Sequence, residues 1–293
     1  MGDLPPRVVY ASGLRLNERA IEGRHSFEAL SHSPMDPQEP DLRRLARSQW
    51  RELAASYVRF RRSTNRYNDL LEVPAMRGLL GDVAGLDVLD AGCGTGVHAR
   101  YCASRGARVV GVDISHRLLV EGRKLAADEG LRVALVEGDL EDLGMFPPER
   151  FDAVVSSVVL PFHLRRVFAQ FHRVLRPGGH LFLSDLHPMF QSGRQEVDGD
   201  RPCLVVAGYF DRTIRSVDDP FGEPSGREHV TLRWRHHTLA DYFEALAAAD
   251  FVVERYLEPQ PDADDRSPKA QRAGSYPVFF LVKATKAPGG NPT

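Results

Sequence analysis

The sequence predicts an α/β fold built on a doubly wound, largely parallel sheet, and three observations predict it. Short apolar runs at Val88–Asp90, Arg108–Asp113, Val133–Glu137, Phe151–Leu160 and His180–Asp185 alternate with segments of helical period. The first run passes through the glycine-rich turn Gly92-Cys93-Gly94-Thr95-Gly96 straight into a helical stretch. Acidic residues, Asp113 and Asp139, close the second run and follow the third, where ligands bind in parallel α/β sheets.

The 293 residues suffice for one sizeable core with additions. The 38 basic and 40 acidic side chains nearly cancel, so no global field draws nucleic acid or an acidic membrane. No apolar run reaches 18 residues, and no charged start leads into a signal-like segment. A cytoplasmic protein without stable membrane insertion is expected. Cys93, Cys102 and Cys203 lack metal-ligand spacing and are odd in number, so neither a zinc site nor a disulfide framework is expected.

Residues 1–40 are rich in turn formers, with Pro5-Pro6 and Ser31-His-Ser-Pro-Met-Asp-Pro-Gln-Glu-Pro40, and read as a flexible extension or as an arm toward its own or a neighbouring subunit. The arm reading carries the expectation of a homo-oligomer. From Asp41 the recurrence of Leu42, Leu45, Trp50, Leu53, Tyr57 and Val58 predicts an amphipathic helix, whose basic face (Arg43, Arg44, Arg47, Arg51) reads as solvated or as a partner surface. A second short helix follows Pro74, so residues 41–82 form a helical cap ahead of the first strand.

Glycines at 92, 94 and 96 permit backbone angles closed to other residues and let a ligand lie against the main chain. Val97 stands where a dinucleotide fingerprint needs its third glycine, which disfavours nicotinamide binding. Asp90-Ala-Gly-Cys-Gly-Thr-Gly96 resembles the first motif of the class I S-adenosylmethionine (SAM) dependent methyltransferases. In that family the motif holds the methionine end of the cofactor. The resemblance implies SAM as cofactor, with Asp90, Gly92, Cys93, Gly94 and Gly96 around it. It also implies a Rossmann-like sheet of seven strands with the last inserted antiparallel. The order Trp50, Tyr57, Tyr67-Asn68, Pro74-Ala75-Met76 is similar to the cap that closes over the cofactor in such enzymes; Tyr57 and Tyr67 are therefore either cofactor contacts or core.

Asp113 ends the second strand seventeen residues after Gly96, placed to accept both hydroxyls of a ribose. Asp113-Ile114-Ser115 resembles the second family motif, and a helix N-cap at Ser115 is compatible with it. Gly138-Asp139-Leu140 resembles the third, in which an ionised carboxylate takes the adenine amine; the alternative is a turn aspartate.

Ser156 and Ser157 lie near the end of the fourth strand, and Ser156 is taken as a cofactor contact. Leu160-Pro161-Phe162-His163 departs from the Leu-His-Tyr of many relatives, which leaves His163 as an acceptor-site base or a surface residue. Arg173-Val-Leu-Arg-Pro-Gly-Gly179 stops a helix before strand five and is among the segments most similar to the family. After strand five, His187-Pro188 resembles the pair that lines acceptor pockets in small-molecule methyltransferases.

Residues 190–228 exceed a plain connection and read as an insertion or lid that chooses the substrate, with Tyr209 and Phe210 either stacking on an acceptor or forming an edge strand. His229–His237 reads as a strand, with its adjacent histidines on opposite faces. Thr238–Ala249 is a helix with a capping box to Asp241. Phe251–Tyr256 and Tyr276–Lys283 are the last strands, the acidic loop from Glu258 between them reads as solvated, and residues 286–293 read as a disordered tail. Residues 83–285 thus make the cofactor-binding domain.

The resemblance implies methyl transfer from SAM to a small acceptor, apolar, aromatic or prenylated, at oxygen, nitrogen or carbon, as in secondary metabolism. His163, His187 and Tyr209 are the candidate acceptor-site catalytic residues, and no metal is expected. Two rivals stand beside this reading. One is a cyclisation or rearrangement on the same fold, for which Phe162, Tyr209, Phe210 and Trp234 would steady a carbocation. The other is RNA methylation, which near-neutral charge opposes.

Overall fold

In a computed structural model of the chain, the structure describes residues 41–62, 67–221 and 230–287. The expected arm over 1–40, most of the tail and positions 222–229 lie outside the described residues. The sheet has seven strands: β1 (Asp87–Ala91), β2 (Arg108–Asp113), β3 (Val133–Glu137), β4 (Phe151–Ser157), β5 (Leu175–Leu186), β10 (Phe251–Leu257) and β11 (Phe279–Lys286). Their order is β3-β2-β1-β4-β5-β11-β10. Pairings from β3 through β5 are parallel, while β11 runs antiparallel to both β5 and β10. This is the Rossmann-like arrangement with its last strand inserted antiparallel.

Both faces of the central strands are buried, whereas the edge strands β3 and β10 are largely exposed, and consecutive residues of the central strands alternate between two cores, as the period of two dictates. Leu89, Val154 and Leu181 face α5 (Leu164–Val174) and α7 (Leu239–Ala248) through Phe168, Phe171, Tyr242 and Leu246. Val88, Val155 and Phe182 face α2 (Val73–Leu80) and α3 (Val97–Ser104) through Met76, Ala99 and Cys102. α4 (His116–Asp128) follows β2. Ahead of the sheet stand α1 (Leu42–Arg62) and a π-helical turn, Asn68–Glu72, that runs directly into α2. Thr238 caps α7 in a complete capping box with Asp241.

Several expected bounds shift. α5 ends at Val174, and Arg176–Gly179 is a bulge within β5: Phe151 pairs with Leu175 and Ala153 with His180, so five steps on β5 oppose two on β4. β11 runs on to Lys286, whose ammonium donates to the Leu175 carbonyl at 2.8 Å, so 286 belongs to the sheet and not to a tail. The basic face of α1 is not merely solvated, because Arg43 pairs with Asp139 at 2.6 Å and Arg47 with Glu137 at 3.1 Å. The insertion folds as two antiparallel hairpins, β6 (Gly193–Asp198) with β7 (Arg201–Val206) and β8 (Ile214–Asp218) with β9 (Thr231–Arg235), joined to β5 by the short α6 (Pro188–Gln191). The loop after Glu258 is not wholly solvated: it contains α8 (Pro268–Ala273), which buries Ala270 and Ala273. Among the described residues no helix is long and apolar enough to cross a membrane.

Candidate active site

The order of strands reverses between β1 and β4, and the crevice at their carboxyl ends is where α/β sheets bind ligands. A cavity of about 460 Å³ opens there. Its floor is the glycine turn. Gly92 sits at φ +78°, and a Cβ placed on it would come within 2.5 Å of Val159 Cγ2, so only glycine leaves both the turn and the cavity intact. Gly94, at φ +54°, faces Tyr57 across the cavity. The strand after β1 supplies the turn's anchor. Asp113 accepts the Gly94 N–H through Oδ2 and the Ser115 N–H through Oδ1, each at 2.8 Å. Burial pushes its carboxyl up to about 6 in spite of those two donors.

Eight of the expected cofactor residues line this cavity: Tyr57, Tyr67, Gly92, Gly94, Asp113, Ile114, Asp139 and Leu140. The other four do not. Asp90 is buried beneath the turn and accepts the Ala99 N–H at 2.8 Å, which secures the first turn of α3. Its carboxyl is raised to about 6 by burial. The Cys93 side chain points under the turn against Gly111 and Leu135, and Gly96 is the left-handed residue that starts α3. Ser156 is buried within the sheet, while its neighbour Ser157 faces the cavity.

None of the three expected acceptor-site residues lines the cavity. His187 is a cap for α6: its Nδ1 accepts the Met189 N–H at 3.2 Å, its Nε2 lies 3.3 Å from Glu258, and burial lowers its pKa. Tyr209 turns its hydroxyl to the Leu239 N–H at 3.3 Å and its ring edge-on to Phe210 and His236. His163 stands behind the wall, but its Nδ1 is 2.7 Å from Glu141, which does line the cavity. His236 and His237 hydrogen-bond to the carbonyls of Tyr209 and Pro161 at 2.9 and 3.0 Å, and neither lines the cavity. Of the aromatic residues considered for carbocation chemistry, Phe162 and Trp234 line the cavity; Tyr209 and Phe210 do not, Phe210 being 78% exposed.

The remaining walls were less legible in the sequence. On the α1 side Trp50, Tyr57 and Phe60 surround Phe221 at ring distances of 6.1, 5.2 and 5.4 Å. Gln49 binds β9 twice, its Nε2 donating to the Arg233 carbonyl and its Oε1 accepting the Arg233 N–H, both at 3.0 Å. Beyond β4 the chain lines the cavity through Val158, Val159 and Leu160, of which Val158 (φ +50°) and Leu160 (φ +53°) occupy the left-handed region without being glycine. Such strain in branched residues collects at functional sites.

Behind Ser157 lies a buried charge network. Glu72, 1% exposed at the end of the π-helical turn, accepts the hydroxyls of Ser157 (2.8 Å) and Ser184 (2.7 Å) on one carboxylate oxygen. His98 Nε2, on the second residue of α3, lies 3.4 Å from the same oxygen. Burial alone pushes Glu72 up, but His98 and the two hydroxyls outweigh it and hold the carboxyl below its usual range. Burial alone pushes His98 down, and Glu72 outweighs it and raises the imidazole. No spacing announces this pair, since the partners are 26 positions apart on separate elements.

A family profile described as a methyltransferase domain matches residues 88–179. An uncharacterized protein of Haemophilus influenzae is 31% identical over 242 residues, which are 78% of this chain and 92% of that protein. The demethylmenaquinone methyltransferase of Tropheryma whipplei (strain Twist) is 34% identical over 180 residues, 60% of this chain and 68% of the relative. Among solved structures, a SAM-dependent methyltransferase from Mesorhizobium loti superposes with a TM-score of 0.61 at 27% identity, covering 73% of this chain and 97% of that one.

Proposed function

This chain belongs to the class I SAM-dependent methyltransferase family, and we propose that it methylates a small, largely apolar or aromatic metabolite. The observation that carries the reading is the cavity itself, with side-chain-free glycines and a buried carboxylate at one end and an aromatic chamber at the other. The residues present fit the cofactor. Gly92 leaves room where a Cβ would clash, Gly94 supplies a second left-handed position without a side chain, and Asp113 keeps lone pairs for a ribose diol beside its two amide bonds. Ile114, Leu118 and Leu140 offer apolar faces to a purine, with Asp139 beside them. When bound, SAM supplies a methyl group already activated by its sulfonium, so positioning is the protein's main contribution.

The chain's own groups then orient and deprotonate. Trp50, Phe60, Phe221 and Trp234 exclude water and hold an apolar acceptor in the chamber. With His187 and Tyr209 occupied elsewhere, the proton acceptor in the wall is Glu141, backed by His163 at 2.7 Å and Arg166 at 3.4 Å. The likeness to a demethylmenaquinone methyltransferase supports a quinol-type acceptor as the first class to screen.

The test is calorimetric binding of SAM and S-adenosylhomocysteine to the wild type and Asp113→Ala, then transfer of an isotopically labelled methyl group to a panel of quinols and phenols. Micromolar binding, weakened at least tenfold by the substitution, and label in an organic-extractable product are expected. Absence of binding to protein cleared of carried-over cofactor would refute the reading.

A further inference from the structure

The strand ends beyond β1 make an apolar wall of the cavity. It is lined there by residues 157–162, from the last residue of β4 onward, and by Leu186, Val278 and Phe279 at the neighbouring ends of β5 and β11. Among these described residues Ser157 alone carries a polar side chain. Arg61, Tyr67, Asn68 and Lys269 bring polar groups to the cavity from the helical elements. What singles out Ser157 is the direction in which its hydroxyl must point.

Ser157 Oγ stands 2.8 Å from Glu72 Oε1, and Ser184 Oγ stands 2.7 Å from the same oxygen. The His98 imidazole approaches that oxygen as well, at 3.4 Å. A proton on Oε1 could serve only one of these neighbours, whereas an ionised carboxylate accepts from all three. Burial alone would raise this carboxyl, but the imidazole and the two hydroxyls outweigh it and hold it below its usual range. Ser157 is therefore the donor in its bond to Glu72. A hydroxyl has one proton and two lone pairs, so once the proton is committed only lone pairs remain for the cavity. A carbonyl, ether or carboxylate oxygen arriving there would face those lone pairs, whereas an O–H or N–H group would complete a hydrogen bond.

The place of Ser157 says which molecule brings that group. β4 adjoins β1 on the side away from β2 and β3, at whose ends Asp113 and Asp139 line the cavity. Val159, two residues past Ser157, packs against Gly92, within 2.5 Å of where a Cβ would stand. Ser157 thus stands where the glycine turn meets the apolar wall, past the groups that fit the cofactor's nucleoside.

We propose that Ser157 reads the methyl acceptor and that Glu72 positions it as a hydrogen-bond acceptor only. The acceptor molecule then carries an O–H or N–H group, such as a phenol hydroxyl, and sets it against Ser157. The proposal rests on the methyl-transfer reading above. An analogue without that group would leave the lone pairs of Ser157 desolvated and unpaired.

The experiment uses the full chain loaded with S-adenosylhomocysteine and titrates 2-naphthol and 2-fluoronaphthalene calorimetrically, as probes of like shape with and without a donor. The wild type is expected to bind the naphthol about tenfold more tightly, the yield of a hydrogen bond made against lone pairs left unpaired. Ser157→Ala brings the ratio to within about twofold of one, and Glu72→Gln, which keeps an oxygen for both hydroxyls, preserves it. Absence of naphthol binding, a ratio near one in the wild type, a ratio that survives in Ser157→Ala or one that is lost in Glu72→Gln overturns the proposal. So does a Ser157→Ala protein that binds S-adenosylhomocysteine more weakly while binding its deamino analogue normally, since the hydroxyl would then serve the cofactor's own ammonium. Failure of the wild type to bind S-adenosylhomocysteine at all would bring down the methyl-transfer reading and this proposal with it.

Discussion

Replacing Glu72 by glutamine keeps the shape of the side chain and an oxygen for the hydroxyls of Ser157 and Ser184, but removes the charge opposite His98. Leaving one partner of a buried pair uncompensated costs about 3–5 kcal/mol. Here the imidazole can release its proton, so the loss is bounded by what the pair contributes, and we expect about 1–2 kcal/mol near neutral pH. Glu72→Ala removes both hydroxyl acceptors as well, each worth about 1 kcal/mol, and leaves a void, so about 3–5 kcal/mol is expected. The pH profile identifies the cause. His98 is raised, so its share of stability is full below the ordinary histidine value and is lost as pH rises through the raised one. Glu72 is lowered, so its share is present above the ordinary carboxylate value and is lost only in stronger acid. The deficit of Glu72→Gln in urea unfolding should therefore be largest between about pH 5 and 6.5 and shrink toward pH 9. A deficit that grows with pH, or one under about 0.5 kcal/mol throughout, would refute the pairing.

Because the Asp113 carboxyl sits at about 6, a ligand that needs it ionised should bind S-adenosylhomocysteine-fashion about tenfold more weakly at pH 5 than at pH 7, and Asp113→Asn should flatten that slope. The same raised carboxyl makes the fold, unlike the site, gain stability as pH falls from 6 toward 4, which thermal melts without ligand would detect. Gly92→Ala combines left-handed strain with the 2.5 Å approach to Val159 and should cost about 2–4 kcal/mol, partly restored by Val159→Ala; Gly94→Ala, whose Cβ meets nothing nearer than 3.6 Å, should cost about 1–2 kcal/mol. Gln49→Ala removes both bonds to Arg233, and hydrogen exchange at the Arg233 amide should quicken about tenfold, the equivalent of about 1.4 kcal/mol; unchanged exchange would show that β9 is held by other contacts.

What could be read from the chain alone was what is encoded locally. β2 and β3 have the bounds expected, and the capping box at Thr238 is present, because strand runs and caps are short-range signals. Direction at strand ends was not legible. Ser156 and Ser157 differ by one position, and in a strand one position is the whole difference between core and cavity. His187 was expected at the pocket by likeness, yet its ring is taken by the backbone of α6, which depends on how α6 leaves β5. The Arg43–Asp139 and Glu72–His98 pairs span 96 and 26 positions, and no periodicity reports contacts of that separation. α8 was hidden by the acidic turn formers that precede it.

The fastening between Gln49 and Arg233 carries a consequence for how such an enzyme diversifies. A primary amide presents the same donor and acceptor as a peptide unit, so Gln49 reads only the main chain of β9 and is indifferent to which side chain stands at 233. The hairpin that roofs the chamber can therefore be rewritten residue by residue for a new acceptor without being unlatched from the helix beneath it.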